Sequence, residues 1–276
     1  MKIRIITGVV AAAVVLPFLI FSDTVMMLIL AVLLVGLGLG EMLHCIGVLH
    51  HLFVSIPTLA FGITMAVTTR LVTLDKWIWL FFILTFFLAV WLMVVSTFSH
   101  GKIDITNIGM TVMTTIYITL GFSSLVLLRD LKYGVFLFLI PLLTAWGSDI
   151  FAYFTGHLFG RHKLIPDVSP NKTVEGAIGG VVCGTALLVA YAAIIGYLTE
   201  AQPDYIAVII AGVLMTIISQ CGDLIASLIK RHYAIKDYGR LLPGHGGIMD
   251  RFDSVIAVSS LLFILYTISP FFNIFL

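Results

Sequence analysis

Residues 77–96 read Trp77-Ile-Trp-Leu-Phe-Phe-Ile-Leu-Thr-Phe-Phe-Leu-Ala-Val-Trp91-Leu-Met-Val-Val-Ser96, without a single charge. About 20 apolar residues in a helix cross the hydrocarbon core of a bilayer. Only helices and closed barrels satisfy their backbone there. A barrel strand alternates apolar and polar residues, and this run does not, so the segment reads as a transmembrane helix. The rest of the chain agrees. Of its 276 residues 61% are hydrophobic and 11% charged, and the mean hydropathy is +1.15. The fold class is an all-α polytopic membrane protein.

Working outward, nine spans are expected, at about 5–21, 24–41, 52–69, 77–96, 108–128, 134–155, 174–197, 205–227 and 254–273. The first follows Met1–Arg4 with no small-residue cleavage site and reads as a retained helix rather than a secretory signal. Pro17 and Pro57 lie inside spans, where a kink is tolerated. With the N-terminus in the cytoplasm, 11 of the 15 Lys and Arg fall on the inside and four (Arg70, Lys76, Arg129, Lys132) outside. That asymmetry obeys the positive-inside rule. It sets the C-terminus outside and the two long connections, 156–173 and 228–253, in the cytoplasm. The chain divides into N-terminal transmembrane helices, 1–130, and a catalytic transmembrane region, 131–276.

The net charge of +1 says nothing about nucleic acid, and the sidedness of the charge matters instead; no nucleic-acid partner is expected. Cys45, Cys183 and Cys221 lie in or beside apolar runs without metal-ligand spacing and read as packing residues. His44, His50 and His51 likewise lack such spacing and read as interfacial.

The chemistry should lie in the two long connections. Asp223, Ser227 and Lys230 stand at i, i+4 and i+7, on one helical face. An acid among apolar residues near a membrane boundary usually marks a site; a salt bridge to a neighbouring cation is the simpler alternative. Further on, Gly239, Gly244, Gly246 and Gly247 allow sharp turns that expose backbone N–H groups. Lys236, Arg240 and Arg251 flank them, which makes an anion pocket. Asp250 and Asp253 open the last span, where one of them can serve as an N-cap. Hard oxygen ligands from Asp223 and Asp250 suit Mg²⁺, which takes one or two carboxylates and lets substrate phosphates complete its shell. In the first connection, Ser169-Pro170 reads as an N-cap followed by Pro at the first helical position. That places Lys172 and Thr173 on the first turn of the seventh helix, a phosphate-binding position. An ordinary capped helix with a basic flank explains the same residues.

The run Ser227-Leu-Ile-Lys230-Arg231, Lys236-Asp237, Gly239, Leu242-Pro243-Gly-His245-Gly246-Gly247-Ile248 and Asp250-Arg251-Phe252-Asp253 closely resembles the signature of the phosphatidate cytidylyltransferases, or CDP-diacylglycerol synthases. It departs at none of the fixed positions. Ser148-Asp149-Ile-Phe-Ala-Tyr153, Gly160-Arg-His-Lys163 and Ser169-Pro170-Asn-Lys172-Thr173-Val-Glu175-Gly176 are similar to the family's other block. There Asn171 stands where Gly or Lys is expected and Val174 where Trp is frequent. The resemblance covers roughly 145–260; the first 130 residues match only in being apolar.

The resemblance implies transfer from CTP to phosphatidate, with pyrophosphate released and Mg²⁺ required. By chemistry and resemblance together, Asp223 and Asp250 hold the metal with support from Asp253. Asp149 is a second ligand or the partner of a lysine. Lys230, Arg231, Lys236 and Arg251 bind phosphates, as do Ser169, Lys172 and Thr173. Ser227 joins them from the face of Asp223, and His245, Gly246 and Gly247 shape the nucleotide pocket. The expected setting is the cell (inner or plasma) membrane with the site facing the cytoplasm, and the reading admits a homodimer. The rival readings are another CTP-dependent lipid enzyme, such as a CDP-archaeol synthase or a polyprenol or dolichol kinase, and more remotely a secondary transporter. A transporter would place its site near the bilayer midplane, whereas these charges gather at one face.

Overall fold

The computed structural model describes residues 16–241, 243–244, 246–268 and 274–275. The first expected span, 5–21, and His245 fall largely or wholly outside them. The described chain is helical: α1 (Val25–Ile46), α2 (Leu52–Thr68), α3 (Leu74–Phe98), α4 (Ile105–Arg129), the single turn α5 (Gly134–Leu137), α6 (Leu139–Phe159), α7 (Val174–Leu198), α8 (Tyr205–His232) and α9 (Met249–Ile268). One antiparallel hairpin, β1 (Lys163–Ile165) with β2 (Ser169–Thr173), interrupts them between α6 and α7.

Six helices among the described residues are long and apolar enough to cross a membrane: α1, α3, α4, α5 with α6 together, α7 and α8. The apolar α2 is shorter, at 17 residues. The 20-residue α9 carries Asp250, Arg251 and Asp253 in its first five positions. Along α3, Trp79, Phe82, Phe86 and Phe87 are exposed, a face that suits lipid tails and not water.

The chain forms two compact units, Met1–Leu127 with His232–Phe252 and Leu128–Arg231 with Asp253–Leu276. In the first, α2 packs on both α1 and α3. Its core holds Leu39, Leu43, Met65, Trp77, Leu92, Ile118 and Phe122, all fully buried. The buried Trp77 indole N–H donates to the Met65 carbonyl at 3.0 Å, which removes the cost of an unpaired donor. In the second unit α6 lies along α7. Small residues set that approach: a Cβ at Gly176 would stand 2.7 Å from the Ala152 carbonyl oxygen, and one at Gly180 would stand 3.0 Å from that of Ser148. Close backbone approach through small residues is how helices pack without a hydrophobic driving force between them.

Several boundaries differ from the sequence reading. The seventh helix does not begin at Ser169-Pro170. Those residues start β2, and Lys172 lies in that strand rather than on a helical turn. Proline needs no donor at the start of a strand, so Ser-Pro serves a strand as well as a helix. Thr173 is the actual cap: its backbone is extended (φ −123°, ψ 155°) and its hydroxyl accepts the Gly176 N–H at 3.1 Å. The sixth span breaks at Phe138 and runs on to Phe159. The eighth helix continues to His232, because Lys230, Arg231 and His232 are compatible with helix once it leaves the apolar phase. The last helix starts at Met249 rather than 254, which makes the second long connection 233–248.

Candidate active site

In the second unit α6, the hairpin, the start of α7 and the second half of α8 enclose a cavity of about 560 Å³. The hairpin is fixed by Glu175 in the first turn of α7. Its carboxylate accepts the backbone N–H of Arg161 at 3.0 Å and of His162 at 3.2 Å, and bonds the His162 Nδ1 at 2.6 Å. The pairing of Lys163 with Thr173 then brings β2 along the cavity.

Asp149 from α6, Lys172 and Thr173 from β2 and Asp223 from α8 all line this cavity. The Lys172 ammonium forms an ion pair with Asp223 Oδ2, with about a quarter of each side chain exposed. The simpler alternative for Asp223, a salt bridge, is therefore present, and its cation comes from the other long connection. Asp149 is within electrostatic reach of Asp223, Asp253 and Lys172. Arg161 and Lys163 add positive charge to the wall. Asp253 is buried at the start of α9, where its Oδ1 accepts the Ser254 N–H at 2.7 Å.

Asp149, Asp223 and Asp253 thus supply hard oxygen donors in one unit. Among the described residues no three His, Cys, Asp or Glu side chains form a ready metal cage. One or two carboxylates completed by substrate phosphates is the arrangement Mg²⁺ ordinarily takes, and the donors present fit it.

Ser227 and Lys230 follow Asp223 along α8, and Arg231 donates through Nε to the Val168 carbonyl at 3.5 Å. The cavity wall does not include these three or Ser169 among the described residues. In the first unit, Asp250 Oδ2 accepts the Tyr238 N–H at 2.8 Å and the Gly247 N–H at 3.0 Å, so this carboxylate closes the glycine-rich loop. Gly246 sits at φ +83° beside it, a conformation that favours glycine. Lys236 and Arg251 are exposed.

Three residues stand outside the set expected from the sequence. Gln220 and His157 line the cavity; the His157 ring stacks on that of Tyr153 with 6.2 Å between centroids. One helical turn, the i and i+4 spacing of 153 and 157, was the available signal. Glu41 of α1 accepts the N–H groups of Ile248 and Met249, both at 2.9 Å. Its signal was the presence of an acid in an otherwise apolar span.

Residues 2–269 match the model of the cytidylyltransferase family. A phosphatidate cytidylyltransferase of Staphylococcus epidermidis (strain RP62A) is 34% identical over 269 residues, covering 96% of this chain and 98% of its own length. Those of Staphylococcus saprophyticus and Staphylococcus aureus (strain COL) are 35% and 33% identical at the same coverage. The chain belongs to the cytidylyltransferase family. It is an enzyme, a nucleotidyltransferase, built largely from helices able to span a membrane.

Proposed function

We propose that this chain transfers the cytidylyl group of CTP to phosphatidate, giving CDP-diacylglycerol and pyrophosphate for phospholipid synthesis. The observation that carries the reading is the cavity in which Lys172 pairs with Asp223 beside Asp149, Arg161 and Lys163. Cations and acids converging on one hollow suit a reaction in which two polyanions must meet, and positioning with charge neutralisation supplies most of its catalysis. Full-length relatives carrying the phosphatidate cytidylyltransferase name support the same reaction.

In that reaction an oxygen of the phosphatidate phosphate forms a bond to the α-phosphorus of CTP. The bond from that phosphorus to the bridging oxygen breaks, and pyrophosphate leaves with the electron pair. No covalent enzyme intermediate is needed. Asp223 and Asp149, supported by Asp253, are the residues to hold Mg²⁺, which would neutralise triphosphate charge. Lys172 and Thr173 bind phosphate oxygens from the hairpin. Lys230, Arg231, Lys236 and Arg251 serve the phosphates from α8 and from the loop. Ser169 and Ser227 offer hydroxyls, and His245, Gly246 and Gly247 shape the base pocket. Asp250 keeps that glycine-rich segment closed.

The proposed setting is nine spans in the cell membrane, with the N-terminus and the site on the cytoplasmic side, in a homodimer. Charge asymmetry supports the orientation. Cysteines placed at Lys163 and Lys236 should react with an impermeant thiol reagent from the cytoplasmic face, and one at Asp204 from the other face; labelling of 163 and 236 from opposite faces overturns it.

The reaction is tested with purified protein, labelled CTP and phosphatidate in mixed micelles. CDP-diacylglycerol and pyrophosphate should appear in equal amounts, stop with EDTA and return with Mg²⁺. Folded protein that forms no cytidylyl lipid, or that turns over fully without divalent metal, overturns the corresponding part of the reading.

A further inference from the structure

We propose that Glu41 is a positioning residue of this enzyme: its carboxylate, reaching from α1, holds the glycine-rich loop and the start of α9 in the arrangement used for CTP. The inference rests on the proposed role of that loop in handling the nucleotide phosphates.

The first N–H groups of a helix have no partner within it. They are usually satisfied by the side chain of the cap residue itself. At the start of α9 that position falls on Ile248 and Met249, which offer no side-chain oxygen. Glu41 answers instead from 207 residues away: its Oε1 accepts the Ile248 N–H and its Oε2 the Met249 N–H, both at 2.9 Å. Ile248 and Met249 are buried, so these bonds are shielded from competing water. Hydrogen bonds to an ionised acceptor are about twice as strong as neutral ones.

The loop is shaped around this carboxylate. A Cβ at Gly239 would stand 2.3 Å from the Glu41 Oε1 and 3.1 Å from the Gly247 Cα. A Cβ at Gly247 would stand 2.3 Å from Oε1 and 2.4 Å from Oε2. Both glycines therefore stand where the backbone passes directly over the acid. Asp250 makes the second tie, accepting from Tyr238 and Gly247. Together the two acids hold four N–H groups at 238, 247, 248 and 249. Arg251 and Lys236 are carried by the segment so fixed.

An acid on an apolar span is expensive. A cap alone could be supplied locally by a Ser, Thr, Asp or Asn in place of Ile248. What a local cap cannot do is tie α9 and the loop at Gly239 to a separate helix. That tie is the function assigned to Glu41. Glu41→Gln keeps length and shape but turns an NH₂ toward one of the two N–H donors, so one hydrogen bond becomes a donor–donor contact.

The test combines two measurements on full-length Glu41→Gln protein in detergent. Hydrogen exchange by mass spectrometry should show faster exchange in the peptide spanning 246–250, with the thermal midpoint retained. Steady-state kinetics should show kcat/KM for CTP lowered by about tenfold or more, the consequence of losing a charge-assisted hydrogen bond. The KM for phosphatidate should stay unchanged. Gly239→Ala, which pushes a methyl group into the same carboxylate, should give the same kinetic pattern, and combining it with Glu41→Gln should add little. Should Glu41→Gln fail to fold, Gly239→Ala carries the test alone. Unchanged exchange at 246–250, or faster exchange with normal CTP kinetics, overturns the positioning role. Wild-type protein that does not use CTP sinks the proposed reaction instead, while the exchange data still report whether Glu41 holds the loop.

Discussion

The cavity beside Lys172 and the loop that leads into α9 are both organised by acids, but the acids meet different partners. In the cavity Asp223 faces an ammonium group, and Asp149 lies within reach of that same pair and of Asp253. In the loop Glu41 and Asp250 face backbone N–H groups. A carboxylate paired with a mobile cation can exchange that cation for a metal or leave it to a phosphate. One spent on backbone donors fixes a chain path. Asp223 and Asp250 look alike in the sequence, as acids at the ends of apolar helices. Their partners differ, an ammonium group for Asp223 and backbone N–H groups for Asp250, and that difference is what the proposed roles rest on.

The largest effect is expected for Asp223→Asn. It should abolish most turnover, about 3–5 kcal/mol of transition-state stabilisation, because it leaves the Lys172 cation without its partner and removes a proposed metal ligand. Initial rates at saturating CTP and low Mg²⁺ measure it. Near-normal turnover would remove Asp223 from the metal.

Asp250→Asn should cost less, about 1–3 kcal/mol in kcat/KM, since it disturbs two backbone hydrogen bonds without removing the loop. It should also speed cleavage by trypsin at Lys236 and Arg240, which Asp223→Asn should leave unchanged. Joined with Asp223→Asn, its cost in kcat/KM should add nearly in full, because the two acids have different partners. A combined effect well short of the sum would mean that Asp223 and Asp250 serve one shared site, such as a common metal ion.

The smallest effect is expected at Thr173. Thr173→Val preserves the β-branched shape but loses the hydroxyl that accepts the Gly176 N–H. Thermal unfolding in detergent should show a loss of about 1 kcal/mol, the ordinary worth of an N-cap. Activity should fall further than this stability loss alone accounts for, and a fall no larger than it would remove the Thr173 hydroxyl from the proposed phosphate contacts.

Much of the molecule was legible beforehand because hydrocarbon length is a one-dimensional property. The runs behind α1, α3, α4, α7 and α8 could be read directly, and so could the two charged connections. The hairpin could not. Ser169-Pro170 fits the start of a helix or of a strand equally well on local grounds, and what decided between them was the hold of Glu175 on Arg161 and His162 and the pairing of Lys163 with Thr173. Local preference is a weak prior that tertiary contacts override.

The amino-acid order was enough to give helices able to span a membrane, the family and a set of charged candidates for the chemistry. Those follow from hydropathy and from residues close together in the chain. Only the tertiary structure decided who pairs with whom. It joined Lys172 to Asp223 across 51 positions, and it sent Glu41 to the start of a helix 207 residues away. Charges far apart in sequence meet only when helices pack, and the close approach at Gly176, Gly180, Gly239 and Gly247 is a property of that packing, which no local pattern records.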